Sequence, residues 1–190
     1  NVLRYIRAHQ LREPELVLLH GKALLGPALS RSLGDESSRL AALEQLCLAA
    51  LDLQNHDLSE QCLEKLKTAI GNESVRFRCL LARCLEGAGD VSGASAIYDD
   101  LLKDNPSNLV ALKRRYCLLR AQVGKEVQAM EACNSYLEQN AADPGAWNEM
   151  AQYCIELGDY KGAAYALEEV VLGCPLDSSL HCKLGEIYAT

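Results

Sequence analysis

Residues 144–177 read PGAWNEMAQYCIELGDYKGAAYALEEVVLGCPLD, and this stretch of 34 residues decides the fold. Its features recur upstream at a nearly constant spacing. Steps of 35 and then 34 residues separate the members of two sets, Gly89, Gly124 and Gly158, and Ala94, Ala129 and Ala163. A fixed period of this length marks an array of small, similar structural units. The sequence therefore predicts a repeat protein.

The spacing within the unit indicates its type. The pattern W-x2-L-G-x2-Y, then A-x3-F and then Pro, is typical of the tetratricopeptide repeat, a helix–turn–helix unit. Residues 144–177 fill these positions with Trp147, Met150-Ala151, Cys154, Ala163, Leu167 and Pro175. We therefore predict an all-α fold, a tetratricopeptide repeat α-solenoid of antiparallel helix pairs. The extra residue of the 35-residue step should lie between Leu119 and Gly124, near the end of one helix.

The repeat array is predicted to occupy residues 36–190, after an N-terminal helical segment at residues 1–35. It divides into a degenerate repeat at 36–74, repeats at 75–108, 109–143 and 144–177, and a partial repeat at 178–190. A helix that breaks near Gly26-Pro27 is expected in the N-terminal segment. It is indicated by apolar residues at Leu16, Leu19, Ala23 and Leu24. Residues 1–13 form either a short helix or a loose arm.

Helix ends carry their own signals in the sequence. Asp90 and Asp159 follow glycines and are expected to cap second helices, and Asp143 before Pro144 should cap a first helix. Asp57 with Glu60 resembles a capping box. Close approach of paired helices is expected at a set of small residues, Ala82, Ala94, Ala151, Ala163 and Gly185.

The composition limits the classes of partner. The chain is 49% hydrophobic and 24% charged, as is usual for a folded domain, and its formal net charge is -7. An acidic chain is a poor partner for phosphate backbones, so we expect no nucleic-acid binding. No apolar run approaches the roughly 18 residues that a membrane-spanning helix needs.

No catalytic or metal-binding pattern stands out. The nucleotide-binding, zinc-protease and nucleophile-elbow motifs are all absent from the sequence. The four histidines are scattered, and adjacent His181 and Cys182 point in different directions on a helix. We therefore predict a binding protein, not an enzyme, without a metal site or a cofactor.

Several short stretches resemble a known family. They include Ile97-Tyr98-Asp99, Asn105-Pro106-Ser107-Asn108, Tyr136-Leu137-Glu138-Gln139, Ala146-Trp147, Asp159-Tyr160 and Leu167-Glu168-Glu169. In these residues the chain resembles the family of subunit 2 of the endoplasmic reticulum membrane protein complex. The likeness covers residues 97–175 and fades before residue 40, and the Pro27 break departs from the continuous first helix of that family.

The resemblance implies a non-catalytic scaffold on the cytoplasmic face of the endoplasmic reticulum, peripheral to the membrane and with no span of its own. Its partners would be other subunits of the complex, namely cytosolic tails of membrane subunits and a globular cytosolic subunit. The complex inserts tail-anchored and multipass membrane proteins, and this chain would support insertion by holding those partners. No cofactor follows from that role.

Two other readings remain open. One is a tetratricopeptide co-chaperone adaptor that binds acidic C-terminal peptides through Lys and Asn at positions 5 and 9 of the first helix. Here those positions hold Cys79 and Arg83 in one repeat and Lys113 and Cys117 in the next, so the clamp pattern is not met. The other is a protein–protein adaptor in an unrelated pathway.

By analogy with the family, positions 2, 5, 9 and 12 of each first helix line the concave surface of such arrays. The basic and amide side chains at these positions form the predicted partner-binding groove: Arg76, Arg83, Lys113, Arg120, Asn148 and Gln152. A cluster of four basic residues in an acidic chain predicts that the groove holds an extended, partly acidic tail, with the two amides bonding its backbone.

The nine cysteines generate a prediction of their own. Their number is odd, they contain no C-x-x-C pair, and most fall in apolar helical patterns, where Cys acts as a small hydrophobic residue. We expect a reduced, cytosolic protein, in which adding a reducing agent leaves the melting temperature unchanged and no zinc co-purifies. A melting temperature that drops on reduction, or a stoichiometric metal, would contradict this reading.

Overall fold

The computed structural model describes residues 2–26 and 35–190. These residues form eleven α-helices and one short 3-10 segment at Lys22–Leu25, with no strand among them, and the predicted all-α fold is confirmed. The helices are α1 Val2–Ala8, α2 Pro14–Gly21, α3 Glu36–Asp52, α4 His56–Ile70, α5 Val75–Gly87, α6 Val91–Asp104, α7 Leu109–Arg120, α8 Glu126–Gln139, α9 Pro144–Glu156, α10 Tyr160–Gly173 and α11 Ser178–Tyr188. None of them is long and apolar enough to cross a bilayer.

The chain forms two compact units, and the boundary between them along the sequence falls within α6. The N-terminal unit extends through Ile97 and the C-terminal unit begins at Tyr98. The division into repeats at 36–74, 75–108, 109–143 and 144–177 remains a prediction.

In the N-terminal unit, α3 packs against α2 and α4, and α4 packs against α5. Its centre consists of fully buried side chains from α3 and α4, namely Leu46, Cys47, Ala50, Cys62 and Leu66. Residues 1–13 contain the short helix α1, which buries Leu3 and Ile6 in the same core. Of the two alternatives for this segment, the structure has the helix.

In the C-terminal unit, α7 pairs with α8, α9 pairs with α10, and α11 packs on α10. Small residues occupy the contacts between these helices, and Ala129, Ala146, Ala163 and Ala166 are fully buried. The close approach predicted for Ala82, Ala94, Ala151 and Ala163 agrees with their burial. Gly185 differs, because it is exposed and open space surrounds the position of its missing Cβ.

The repeated glycines close the turns inside helix pairs. Gly89, Gly124 and Gly158 have φ angles of 84°, 82° and 75°, in the left-handed region that side chains disfavour. The predicted aspartate caps follow two of them. Asp90 accepts a hydrogen bond from the Gly93 amide at 2.9 Å, and Asp159 accepts one from the Gly162 amide at 3.0 Å.

One detail of the sequence-based prediction is wrong. The cap of α4 is Asn55, which accepts from the Leu58 amide at 3.1 Å, and Asp57 lies inside the first turn because the helix begins one residue before it. The helix expected before Gly26-Pro27 is present as α2 and the 3-10 segment that follows it, although Leu16, Leu19 and Ala23 are exposed. Val17 and Gly21 are the buried residues of α2. A Cβ at Gly21 would lie 2.7 Å from the Leu46 Cδ1, so this side of α2 packs closely against α3.

The position predicted for the extra residue is confirmed. Helix α7 ends at Arg120 and α8 begins at Glu126, and the turn between them carries a fully exposed Val123. The predicted break at Gly26-Pro27 leads into residues 27–34, which lie outside the described residues. The described cysteines are all free thiols, and Cys47, Cys62, Cys133 and Cys154 are buried as expected, whereas Cys174 and Cys182 are exposed.

The packing of α10 against α9 is tested by Ala163→Leu. Ala163 has no exposed surface, so the added side chain has no room and forces neighbouring helices apart. We expect the free energy of unfolding to fall by about 1–3 kcal/mol in urea denaturation. The matched control is Ala69→Leu on the exposed side of α4, which should change stability by less than about 0.5 kcal/mol. Equal midpoints for the two variants would contradict this packing.

Candidate functional site

A cavity of about 350 Å³ opens in the C-terminal unit between α7 and α9. Residues spaced three or four apart share one face of a helix, so a few side chains of each helix line it. The lining residues are Lys113, Tyr116, Cys117 and Arg120 from α7, and Gly145, Glu149 and Tyr153 from α9. Two of the six residues predicted for the groove, Lys113 and Arg120, therefore stand at this cavity.

At one end of the cavity, Asp143 joins α7, α8 and α9. Its Oδ1 caps α9 by accepting from the amides of Gly145 and Ala146, at 3.0 and 3.2 Å. Its Oδ2 accepts from the Lys113 Nζ at 2.6 Å and from the Tyr136 hydroxyl at 2.7 Å. The predicted cap at Asp143 is confirmed, and the same carboxylate also fixes the position of Lys113.

The electrostatics of this end favour the ionised pair. Burial of Asp143 acts to raise the pKa of its carboxyl. The hydrogen bonds from Lys113, Tyr136 and the Ala146 amide outweigh burial, so that the pKa is lowered. The pKa of Lys113 is raised, chiefly by its hydrogen bond to Asp143. The positive charge of Lys113 is thus compensated within the chain.

At the other end, Arg120 forms a two-pronged ion pair with Glu156, with Nη1–Oε2 and Nη2–Oε1 distances of 2.5 and 2.7 Å. Gln152 Nε2 donates to the same carboxylate at 3.1 Å. These bonds, the one from Arg120 above all, lower the pKa of Glu156 to about 2. The guanidinium carbon also lies 4.7 Å from the centre of the Tyr153 ring, within the range of a cation–π contact.

Between the two ends lies Glu149, a half-buried carboxylate with no ion pair among the described residues. Tyr153 beside it is 1% exposed, and its buried hydroxyl has no hydrogen-bond partner in the described part of the chain. Burial raises the pKa of the Tyr153 hydroxyl, and Glu149 contributes to the same shift. Lys113 and Arg120 are each paired with another carboxylate, so Glu149 is the lining carboxylate left without an ion pair among the residues described, although it also interacts with the charge of Arg120.

The predicted groove residues divide into two groups. Lys113, Arg120 and Gln152 lie together at the cavity or bonded to its rim, and Asn148 is exposed on α9 outside the lining. Arg76 and Arg83 belong to α5 in the N-terminal unit. Arg76 Nη2 pairs with Glu44 Oε1 at 2.7 Å, and Arg83 is half-buried.

Sequence reasoning missed Glu149, Tyr153 and the ion-pair partners of the basic side chains. A signal for the first two was present, because Gly145, Glu149 and Tyr153 follow one another at intervals of four and so share one face of α9. Glu156 occupies position 12 of its first helix, the position that Arg120 has in the helix before it, so the sequence places it at the groove. Its pairing with Arg120 was not predicted, since it depends on how the two helices are placed side by side.

This arrangement is suited to binding and not to reaction. Burial raises the pKa of the Cys117 thiol, so the one nucleophile in the cavity stays protonated. The described residues contain no group of three or more side chains that could hold a metal ion. The cavity instead offers aromatic walls, a carboxylate and a fixed set of hydrogen-bonding groups.

Antiparallel helix pairs that recur at a period of about 34 residues define the tetratricopeptide repeat class. Two solved structures agree in fold. A tetratricopeptide repeat protein from Parabacteroides merdae has a TM-score of 0.63 and 16% identity, covering 97% of this chain and 74% of that one. A thermophilic protein of the class from Thermus thermophilus has a TM-score of 0.60 and 14% identity, covering 94% and 100%.

The chain belongs to the EMC2 TPR-like repeat domain family, whose model matches residues 56–189. Among its relatives is the ER membrane protein complex subunit 2 of Dictyostelium discoideum, 30% identical over 93% of this chain and 54% of that protein. The subunit 2 of Xenopus tropicalis is 33% identical over 97% and 60%. The family predicted from the sequence is confirmed, and with it the class of non-catalytic scaffold. The chain spans 54 to 60% of the length of these relatives.

The double role of Asp143 is tested by two substitutions. Asp143→Ala removes the cap of α9 and the partner of Lys113, and we expect the free energy of unfolding to fall by about 1–2 kcal/mol. Asp143→Asn retains a capping oxygen and should lose less at neutral pH. The control Asp57→Ala, in an exposed position of α4, should stay within about 0.5 kcal/mol of the parent.

The pH dependence separates the ion pair from the cap. The folded-state pKa of Asp143 lies below its ordinary value of 3.8, so its contribution is present above pH 3.8 and is lost as the pH falls through the lower folded value. Asp143→Asn lacks this contribution, and its stability should therefore fall less steeply than that of the parent below pH 3.8. Parallel acid limbs for the two proteins in urea titrations would show that the Asp143 carboxylate is not stabilised by folding.

Proposed function

We propose that the chain is the repeat portion of a cytosolic scaffold subunit of the endoplasmic reticulum membrane protein complex. In this role it holds cytosolic parts of partner subunits and so supports insertion of tail-anchored and multipass proteins. The observation that carries the proposal is the cavity on α7 and α9, in a chain whose family model is that of a subunit of this complex. A scaffold needs a shaped recognition surface and does not need reactive groups. The cavity offers such a surface, and its thiol, Cys117, stays protonated.

The partners follow from the family. They are the cytosolic tails of membrane subunits and a globular cytosolic subunit, and contacts with them would keep the chain at the cytoplasmic face of the membrane. None of the described helices can span a bilayer, which is consistent with attachment through partners. The role requires neither a cofactor nor a nucleic acid.

The paired charges in the cavity define the segment that it binds. An acidic tail would require Lys113 and Arg120 to be free, but each is already hydrogen-bonded to a carboxylate. Separating Lys113 or Arg120 from its carboxylate costs free energy, and a carboxylate of the bound tail could at best restore the same amount. We therefore propose an extended segment that places an uncharged or basic side chain between Tyr116 and Tyr153, against Glu149.

The remaining predicted residues have separate roles in this proposal. Asn148 is exposed beside the cavity, where its amide can bond the backbone of the segment. Gln152 instead stabilises the Arg120–Glu156 pair. Arg76 and Arg83 remain proposed contact residues of the N-terminal unit by itself.

The same pairing argues against the co-chaperone alternative. A carboxylate clamp recognises its ligand through basic side chains that are free to bind a C-terminal carboxylate. Lys113 and Arg120 do not meet this condition, and Cys117 occupies the position between them where the clamp has Asn. A scaffold that binds an internal, uncharged or basic segment fits the cavity better.

The proposal is tested by Glu149→Arg, which reverses the charge of the cavity and fills its centre. The tagged full-length protein is purified from detergent-solubilised endoplasmic reticulum membranes, and the subunits that co-purify are quantified. Truncating one side of a buried charge contact costs about 2–5 kcal/mol, so affinity for the segment should fall at least about 30-fold. Recovery of the membrane subunits should fall with it.

The matched control is Glu131→Arg, the same charge change at an exposed position of α8. Both variants should melt within a few degrees of the parent, and only Glu149→Arg should lose its partners. Full recovery of the membrane subunits by Glu149→Arg would exclude the cavity as the site. Recovery of chaperones in place of membrane subunits, by the parent protein, would favour the adaptor alternative.

A further inference from the structure

Two thiols of the N-terminal unit lie in direct contact. The Sγ atoms of Cys47 on α3 and Cys84 on α5 are 3.8 Å apart, and both thiols are free. The two residues are 37 positions apart in the chain, so α4 lies entirely within the intervening segment. Cys47 is fully buried, whereas Cys84 is half-buried.

The surroundings of the pair are polar in a core that is otherwise apolar. Ser59 on α4, at 3% exposure, is the one buried polar side chain among the described residues, and it lies at this contact. Its backbone carbonyl lies 3.7 Å from the Cys47 Sγ, so the single thiol proton of Cys47 can be donated either to this oxygen or to the Cys84 sulfur. Arg83, next to Cys84 in sequence, adds a positive charge nearby.

These neighbouring groups make the two thiols unequal in reactivity. The pKa of Cys84 is lowered, chiefly by the hydrogen bond from Cys47, with help from the Ser59 hydroxyl and the charge of Arg83. The pKa of Cys47 is raised by that same contact and by burial. Cys84 is thus the thiol that ionises first, and Cys47 is the protonated neighbour.

We propose that Cys47 and Cys84 form an oxidation site that takes hydrogen peroxide and closes to a disulfide between α3 and α5. This inference does not depend on the function proposed above, since it concerns another unit and other side chains. The contact distance, the unequal exposure of the two thiols and the buried Ser59 carry it. Cys62 is also fully buried nearby, but it makes no such thiol contact among the described residues.

The chemistry is balanced in two steps. The Cys84 thiolate attacks one oxygen of hydrogen peroxide, the O–O bond breaks, and hydroxide leaves with the proton that Cys84 had released, as water. The Cys47 sulfur then attacks the Cys84 sulfenic sulfur. The S–S bond forms, the S–O bond breaks, and the departing oxygen takes the Cys47 proton to give a second water. Two thiols are oxidised and one peroxide is reduced.

The bridge would fasten α3 to α5 across the segment that contains α4. A cross-link that closes a loop of this length lowers the conformational entropy of the unfolded chain, so forming it raises the free energy of unfolding and reducing it lowers that free energy. We expect the peroxide-treated protein to melt about 5–15 °C above the reduced protein. The protein before peroxide treatment has free thiols, and a reducing agent should leave its melting temperature unchanged.

The test uses the whole chain in a background with the exposed Cys174 and Cys182 changed to Ser, which prevents bonds between molecules. Reduced protein is treated with hydrogen peroxide, its remaining thiols are alkylated in denaturant, and its peptides are mapped by mass spectrometry. We expect two thiols fewer to be alkylated, one linked peptide pair that contains Cys47 and Cys84, and full reversal by dithiothreitol.

Two variants make the result specific. Cys84→Ser, at the half-buried position, should lose both the linked peptides and the rise in melting temperature. Cys62→Ala, which removes a buried thiol outside the contact, should keep both. An arsenical that bridges neighbouring thiols, phenylarsine oxide, gives a second readout without oxidation, and it should bind the background protein one to one and Cys84→Ser not at all. Sulfinic acid at Cys84 without a linked peptide, or arsenical binding that survives Cys84→Ser, would overturn the proposal.

Discussion

Paired helices stand close together in this protein because alanine occupies the contact between them. Ala129 and Ala163 lie on second helices, and each is fully buried against the first helix of its pair. A side chain of one carbon lets two backbones approach at short distance, and the larger residues then fill the gaps at the sides. The rest follows from that spacing. The turn must be tight, so a glycine with positive φ closes it, and an aspartate restarts the chain as a helix.

Close packing by small residues also determines where polar groups can lie. The interiors of the helix pairs are filled mainly by Ala, Leu, Cys and Tyr, and no charged side chain of the described residues is buried in them. Lys113 and Arg120 are therefore placed on the inner face of α7, where the nearest opposite charges belong to α9 and to the residue that caps it. These ion pairs join one first helix to the next. They hold the cavity walls in one geometry and leave Glu149 as the lining carboxylate without an ion pair among the described residues.

Most of the fold was accessible from the sequence because it rests on local signals. The caps at Asp90, Asp143 and Asp159 depend on neighbours a few residues away, and the step between glycines and the position of the extra residue follow from comparing one repeat with the next. The cap of α4 was misassigned, since Asn55 and Asp57 are both good capping residues and one turn of context does not separate them. The site was less accessible. Lys113 and Arg120 could be placed on a face, but their partners depend on side chains one repeat away, and so does the thiol contact between Cys47 and Cys84.

The longer turn between α7 and α8 has a practical consequence. The added residue is absorbed outside both helices, and Val123 projects fully into solvent without contributing to the core. Chain length can therefore vary at this point at little cost, because closing a slightly longer surface loop changes its entropy by only a few tenths of a kcal/mol. For protein engineering this is the natural insertion point: an epitope, a fluorophore attachment sequence or a protease recognition sequence placed between Gln122 and Gly124 would leave the spacing of every helix pair as it is.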